Sequence, residues 1–180
     1  MAKSEQTKAK LLIKMGEHVL SHGLNTASLR PLAESAKTSD RMLIYHFGSK
    51  ENLIGELLLH LAAELQEKLD AALPAVRAKS NTMYLETVVA LLRREPFARY
   101  MRVWLDIVSA AGHGSNDHKA IGKKMIDGYM QWLEARLPAE NENPRATLAL
   151  LFTIIEGAIV MDAVGQSQLA NQAIKFAFQD

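Results

Sequence analysis

The chain has 180 residues, of which 48% are apolar and none is cysteine. This apolar fraction supports a packed core, and the lack of cysteine excludes disulfides, cysteine nucleophiles and thiolate metal sites, as expected of a cytoplasmic protein. The formal net charge is only +1, but the first 55 residues carry eight Lys/Arg against five Asp/Glu. That small excess of positive charge suits phosphate binding without establishing it.

Helical periodicity covers almost the whole chain and strand alternation is nearly absent, so the sequence predicts an all-α fold. About nine helices are expected, separated by breaks that include Gly23, the polar residues 37–39, Gly48 and Pro74. The predicted helices cover residues 4–21, 29–36, 40–47, 50–72, 82–93, 96–110, 117–137, 144–164 and 167–178.

The longest apolar run covers residues 148–164 and is interrupted by Glu156 and Asp162. It is too short to cross a bilayer, so we expect a buried helix and no membrane association. The first ten residues contain no apolar signal core, so secretion is not expected.

The segment most informative about function covers residues 23–53. Two short helices separated by a three-residue turn predict a helix-turn-helix, in which the second helix can enter a DNA major groove. Apolar side chains expected to lock the two helices together are Leu32, Ala33, Ala36, Ile44 and Phe47. Side chains expected on the exposed face of the second helix are Ser39, Asp40, Arg41, Tyr45 and His46.

This segment resembles the DNA-binding part of the TetR (tetracycline repressor) family. The family pattern has a Thr/Ser cap, an Ile/Leu-Ala pair, an Ala-Gly-Val-Ser turn and then Leu-Tyr-x-His/Tyr-Phe-x-Ser/Asn-Lys-x-x-Leu. The residues that match it are Ser28, Leu32-Ala33, Ala36, Ser39, Ile44-Tyr45-His46-Phe47, Ser49-Lys50 and Leu53. The close resemblance covers about residues 7–58, and beyond it only helix number and order agree.

Two departures from the family pattern lie in the turn. Lys37 and Thr38 replace its Gly and Val, and the distance from Ala36 to Tyr45 is one residue longer than the usual spacing. One extra residue rotates a helix by roughly 100°. We expect the turn to absorb it, which would spare Lys37 the left-handed conformation of glycine.

The resemblance implies a role for each matched residue. Ser28, Tyr45 and Lys50 would bind backbone phosphate, and Arg30 would reach phosphate or a groove edge. Ser39, Asp40, Arg41 and His46 are the remaining candidates for DNA binding, and Arg41 is expected to read bases because arginine can bond two acceptors of guanine.

The resemblance also implies two domains, a DNA-binding domain over 1–48 and an effector-binding, dimerising body over 49–180. The last two helices would form the homodimer, because the 145–178 region is apolar on more than one face and needs a partner to cover it. Candidates for contacting a small, largely apolar effector are Met101, Trp104, Met125, Tyr129, Phe152 and Glu156. The Glu156 carboxylate needs a partner, either a protein group such as Arg102 or a polar group on the effector.

An enzyme is not expected, because the sequence contains no phosphate-binding loop, nucleophile elbow or metal motif. His18 and His22, and likewise His113 and His118, have spacings that can ligate metal, but no third ligand is evident, so no metal or cofactor is expected. The prediction is a homodimeric repressor released from operator DNA by an effector. The alternative is a helical small-molecule-binding or interaction protein that does not bind regulatory DNA.

Overall fold

The computed structural model of the chain describes residues 2–139, 141 and 143–178. Those ranges contain nine α-helices, a short 3₁₀ helix at Leu24–Thr26 and no strand, which confirms the predicted all-α class. The helices are α1 (Ala2–His22), α2 (Leu29–Ala36), α3 (Asp40–Phe47), α4 (Lys50–Ala72), α5 (Asn81–Leu92), α6 (Phe97–Gly112), α7 (Asn116–Glu134), α8 (Pro144–Ala163) and α9 (Ser167–Phe176).

Side-chain caps explain where several of these helices begin. The Ser39 hydroxyl accepts the backbone N–H of Met42 at 3.3 Å at the start of α3. At the start of α5, the Ser80 side chain accepts the backbone N–H of Met83. At α8 the side chain of Asn143 caps the first turn, and Pro144 occupies a position where its missing N–H costs nothing. These capping residues are local signals that the sequence displays directly.

Several helix ends differ from the predicted ones by one to three residues, and two of these differences have consequences for the neighbouring loops. Helix α7 ends at Glu134 instead of residue 137, because Arg136 and Leu137 donate to carbonyls three residues back and tighten the last turn. Helix α6 extends through Gly112, so the loop before α7 is shorter than predicted.

One compact unit contains the residues up to Glu67 together with Arg102–Met125. It comprises α1 to α3, most of α4 and parts of α6 and α7. The side chains at the centre of this unit are Met15, Val19, Leu32, Leu43, Leu53, Leu57 and Ile107, which are almost fully buried. Helices α1, α2 and α3 pack on one another within it.

A second compact unit contains Lys68–Met101 and the chain from Ile126 onward. Helices α5, α8 and α9 pack on one another within it. The side chains at the centre of this unit are Leu69, Tyr84, Leu85, Val88, Trp132, Leu133, Leu151, Ile155 and Ile174. Tyr84 donates its buried hydroxyl to the carbonyl of Leu133 at 3.0 Å.

Arg136 is buried in the second unit, and all of its donor nitrogens have acceptors. Its guanidinium donates to the carbonyls of Leu73 and Trp132, each at 2.9 Å, and to the Asp70 carboxylate at 2.6 Å. It also lies 4.2 Å from the centre of the Trp132 ring. The same Asp70 oxygen accepts the indole N–H of Trp132 at 3.0 Å, so one carboxylate orients both side chains.

We expect Asp70→Ala to lower the free energy of unfolding by about 2 kcal/mol, because it leaves a buried guanidinium and an indole N–H short of an acceptor. The measurement is urea unfolding at fixed protein concentration. Glu86→Ala, an exposed change on α5, is the matched control and should stay within about 0.5 kcal/mol of the unchanged protein. Equal stability of the two variants would contradict the assigned role of Asp70.

Candidate functional site

The turn between α2 and α3 has the geometry of a glycine turn although it contains a lysine. Lys37 has φ 54° and ψ 48°, the left-handed conformation that glycine adopts at least cost. The N–H of Thr38 donates to the carbonyl of Ala33 at 2.9 Å and closes the turn. The expectation that Lys37 avoids this conformation is therefore wrong, and the lysine costs the turn on the order of 1 kcal/mol.

The register of α3 removes the apparent extra residue. Leu43 and Phe47, four positions apart, are buried, whereas Ile44, expected in the core, is 36% exposed. The run from Leu43 to Phe47 therefore matches Leu-Tyr-x-His/Tyr-Phe of the family pattern without an insertion. The predicted longer turn is wrong, because it followed from matching Ile44 to the pattern's leucine. Ile44 occupies the place of the pattern's tyrosine, and Tyr45 the variable place.

The outward face of α3 carries Arg41, Met42 and Tyr45. At about 100° per residue, these side chains lie on the side of the helix opposite Leu43 and Phe47. Arg41 is exposed, and the exposed fractions of Tyr45 and Met42 are 76% and 41%. Sequence reasoning missed Met42, since a methionine in an amphipathic helix is normally assigned to the core.

The other predicted residues of α3 are oriented differently. The Ser39 hydroxyl caps the helix, and Asp40 is exposed in the first turn, where the helix dipole favours a negative charge. His46 is half-buried and packs edge-on against Tyr45, with ring centres 5.2 Å apart. Its Nδ1 is buried and has no hydrogen-bond partner among the described residues. Arg41 and Tyr45 are therefore the predicted polar residues that extend farthest from the helix.

Ser28, Arg30 and Lys50 flank this face in the sequence. Ser28 precedes α2 in an extended conformation, is exposed and does not cap the helix with its hydroxyl. Lys50 is exposed at the first residue of α4. Arg30 pairs with Glu34 at 3.0 Å, but both side chains are highly exposed, so the pair is worth less than about 1 kcal/mol and can be exchanged for a phosphate.

Two lysines of α1 hold the helix-turn-helix in place. The Lys8 ammonium lies 2.7 Å from the Glu56 carboxylate on α4 and 4.8 Å from the centre of the Phe47 ring. Lys14 donates to the carbonyl of Ala36 at the end of α2, at 3.4 Å. Neither contact has a sequence signal, because each joins residues more than 20 positions apart.

The segment before α2 is held by a carboxylate on α6. The Asp106 side chain accepts the backbone N–H of Leu24 at 2.8 Å. Gly23 adopts φ 85°, and a Cβ at that position would lie 3.4 Å from the same carboxylate oxygen. Asp106 therefore fixes the chain between α1 and α2, a second positioning role that sequence reasoning missed.

The residues predicted to contact an effector are all half-buried. In the second unit these residues are Met101, Tyr129, Phe152 and Glu156, and in the first unit they are Trp104 and Met125.

Tyr129 is the centre of an aromatic cluster in the second unit. Its ring stacks on that of Trp132 with centres 5.5 Å apart and lies 6.0 Å from that of Phe152. The Tyr129 hydroxyl oxygen is buried and has no hydrogen-bond partner among the described residues. Burial, followed by the nearby Tyr84 and Glu156, raises the pKa of Tyr129 well above its ordinary value, so the phenol stays protonated and can donate.

Helices α8 and α9 expose several apolar side chains. On α8 and at its end, Leu150, Val160 and Val164 are exposed, and on α9, Leu169 and Phe176 are exposed, the latter at 71%. By length and composition α8 could cross a membrane, but a soluble core helix passes the same test. Only 28% of its most apolar stretch is buried, less than predicted for a core helix.

An arginine joins the helices that carry this apolar surface. Arg93 at the end of α5 binds both oxygens of Asp162 at 2.7 and 2.9 Å and donates to Asn171 on α9 at 2.7 Å. Partial burial opposes ionisation of Asp162, but hydrogen bonds from Arg93 and Ser167 outweigh it and lower the pKa of Asp162. The relative placement of α8 and α9 is therefore fixed by polar contacts as well as by packing.

The histidines of the two candidate metal pairs contact side chains close to them in the sequence. His18 and His22 stack with ring centres 4.5 Å apart, and burial together with His22 lowers the pKa of His18. His118 lies 2.7 Å from the hydroxyl of Ser115. Within the described ranges, no three side chains of His, Cys, Asp or Glu gather where a metal could bind.

Comparison with known proteins gives a family assignment for the helix-turn-helix. Residues 12–57 match the family model of bacterial regulatory proteins of the tetR family. Over these residues the chain is similar to the DNA-binding segment of that family. The match agrees with the resemblance drawn from the run Ile44 to Lys50.

A relative of this chain is a transcriptional regulatory protein. An HTH-type transcriptional regulatory protein, RaaS from Mycobacterium tuberculosis, is 28% identical over 123 residues, or 68% of the chain. The chain spans about half, 53%, of the length of that relative.

Solved structures share the fold. A transcriptional regulator from Rhodococcus sp. Rha1 has a TM-score of 0.71 at 22% identity, with 94% of this chain and 92% of that one covered. A protein from Saccharomonospora viridis, described as a regulator and solved in complex with choline, has a TM-score of 0.70 at 16% identity, with 96% and 97% covered. The described part of the chain therefore shares its helical fold with these two proteins.

Proposed function

We propose that the protein is a homodimeric repressor that binds operator DNA through α2 and α3 and is released by a small effector. The observation that carries the proposal is the outward face of α3. An exposed arginine and an exposed tyrosine project from a helix anchored by Leu43 and Phe47, directly after a tight turn. That arrangement suits insertion into a major groove. Binding to DNA implies action in the cytoplasm.

Roles for individual residues follow from their exposure and chemistry. Ser28, Tyr45 and Lys50 are exposed groups that can bind phosphate oxygens on either side of the groove. Arg41 is suited to reading guanine, because its guanidinium can bond two acceptors at once. Arg30 would join the phosphate contacts after leaving Glu34. Ser39 and Asp40 would contact DNA from the start of α3. His46 would contact it from the side of the helix, where its partial burial limits how far the ring extends.

The proposed dimer forms through α8 and α9. Their exposed apolar side chains would be covered by the same surface of a second copy, as a twofold axis requires. Covering by a partner accounts for the low burial of α8 without a membrane. The two recognition helices of such a dimer must lie about 34 Å apart to enter successive major grooves.

Release by an effector would require a change in that spacing. In this scheme residues 1–48 form the DNA-binding domain and residues 49–180 form the effector-binding and dimerising body. An effector that binds better to a body conformation with wider spacing would lower operator affinity by shifting the population. The hydrogen bond between Asp106 and Leu24 connects α6 directly to the segment before α2. It is the proposed link between the effector-binding body and the DNA-binding domain.

The effector is proposed to be small and largely apolar, with one group that accepts a hydrogen bond from Tyr129. Relatives supply precedent, since one structurally similar protein was solved with choline and another, the multidrug binding protein EbrR, with imidazole. The half-buried Met101, Phe152 and Glu156 belong to the same unit as Tyr129 and would contribute to the contact.

We expect Tyr129→Phe to raise the free energy of unfolding of the effector-free protein by about 1 kcal/mol, because it removes a buried hydroxyl that has no partner. Thermal unfolding with and without candidate effectors is the measurement. The effector-dependent rise in Tm should shrink in the variant. A loss of stability without effector would mean that the hydroxyl is already satisfied in the free protein.

The experiment that tests the proposed function is selection of bound sequences from random double-stranded DNA. A repressor should enrich a palindromic sequence whose half-sites are spaced by one helical turn. The alternative, a helical small-molecule-binding or interaction protein, predicts no enrichment and DNA binding that is either absent or insensitive to salt.

A further inference from the structure

Met42 is an apolar side chain on the outward face of α3, beside Arg41. Its exposed fraction is 41%, whereas Leu43, the next residue, is fully buried. Met42 shares the outward face with Arg41 and Tyr45, so its exposed part contributes little to the core and is available to an apolar group in the target of that face.

We propose that Met42 contacts the methyl group of a thymine in the half-site whose guanine Arg41 reads. The inference rests on the proposed DNA-binding function and adds the base that Met42 recognises. In the major groove, the C5 methyl of thymine is the apolar group that distinguishes one base from the others. The thioether side chain of methionine is unbranched and adaptable, so it can pack against such a methyl.

Arg41 and Met42 both lie in the N-terminal half of α3, the part of a recognition helix that contacts base edges. Their positions differ by about 1.5 Å along the helix axis and by about 100° around it, so Met42 reaches a base other than the one that Arg41 reads. The operator half-site should therefore contain a thymine in addition to the guanine that Arg41 reads.

Ile44 and Tyr45 are less suited to this contact. Ile44 lies nearer the buried side of α3 and is less exposed than Met42. Tyr45 carries a hydroxyl that can bind phosphate, and it follows Met42 by almost one full turn. Met42 is therefore the apolar residue that best combines exposure, position along the helix and proximity to Arg41.

The test replaces the thymine of the selected operator by deoxyuridine, which removes only the methyl group and keeps every hydrogen-bonding atom. Affinities of the full-length protein for the two operators are compared by fluorescence anisotropy. The same comparison is made with Met42→Ala, and with Met83→Ala as the matched control, since Met83 is an exposed methionine of α5. Circular dichroism and thermal unfolding check that each variant folds.

The unchanged protein and Met83→Ala should bind the deoxyuridine operator about fourfold more weakly for each methyl removed, the ratio expected for burying one methyl group. Met42→Ala should bind both operators equally, with the same salt dependence as the unchanged protein.

Equal binding of both operators by the unchanged protein would overturn the inference, as would an undiminished preference in Met42→Ala or selected half-sites without a thymine. In each of those cases the proposed DNA-binding function would stand. An absence of any enriched sequence would instead reject the DNA-binding function, and the inference with it.

Discussion

Arg41→Ala is expected to weaken binding to the selected operator by about 10- to 100-fold, because the substitution removes a bidentate contact to a base. Arg41 is exposed on the outward face of α3, so the protein should fold with unchanged stability. Binding to unrelated DNA should fall much less. Competition between operator and unrelated DNA, measured by fluorescence anisotropy, gives both affinities.

Lys50→Ala is the matched control for Arg41→Ala. Both changes remove one exposed positive charge, but Lys50 at the start of α4 is assigned to phosphate. Its loss should weaken binding to all sequences alike and reduce the salt dependence by about one counterion. If Arg41→Ala also weakened operator and unrelated DNA by the same factor, the assignment of Arg41 to base reading would fail.

Val160→Glu is expected to convert the protein to monomers and to lower operator affinity by about 100-fold or more, since a single helix-turn-helix then binds only one half-site. In a twofold interface the substituted residue occurs once in each subunit, so two carboxylates would enter an apolar contact. Val160 is 43% exposed on α8, so the fold of each chain should survive. Sedimentation velocity measures the mass, and anisotropy measures operator binding.

Val76→Glu is the control for this change. It introduces the same charge at an exposed valine between α4 and α5, away from α8 and α9. The control variant should remain dimeric and bind operator normally. If Val160→Glu stayed dimeric, or if the unchanged protein were monomeric at micromolar concentration, the proposed interface would be wrong.

Local sequence signals predicted much of the fold. Helical periodicity and the breaks at Gly23, Gly48 and Pro74 predicted most helix bounds to within a few residues, because helix starts and chain reversals depend on neighbouring residues. The helix-turn-helix was predicted for the same reason, since its buried positions and its turn lie within one short segment.

The details that sequence could not supply depend on tertiary contacts. Whether Leu43 or Ile44 is buried depends on which side of α3 packs on α1 and α2. The apolar periodicity of an eight-residue helix does not determine that side. Lys37 adopts the left-handed conformation because the packing of α2 against α3 demands it. The contacts of Asp106 with Leu24 and of Arg136 with Asp70 join residues 82 and 66 positions apart.

The candidate site divides in the same way. Arg41, Tyr45 and Lys50 are exposed, as their polar character and helix positions suggested, and their contact with DNA stays a prediction. Met42 was missed because its apolar character outweighed its position on the outward face. The six candidates for effector contact are half-buried, and among the described residues the Tyr129 hydroxyl has no partner, features that residue type alone does not reveal.

The most direct test of the account is the ratio of affinities for the selected operator and for a scrambled sequence of equal length, measured at physiological salt. A dimeric repressor should bind two chains per operator and prefer it by about 1,000-fold or more. Equal affinity for the two sequences, at any stoichiometry, would contradict sequence-specific DNA binding through α3.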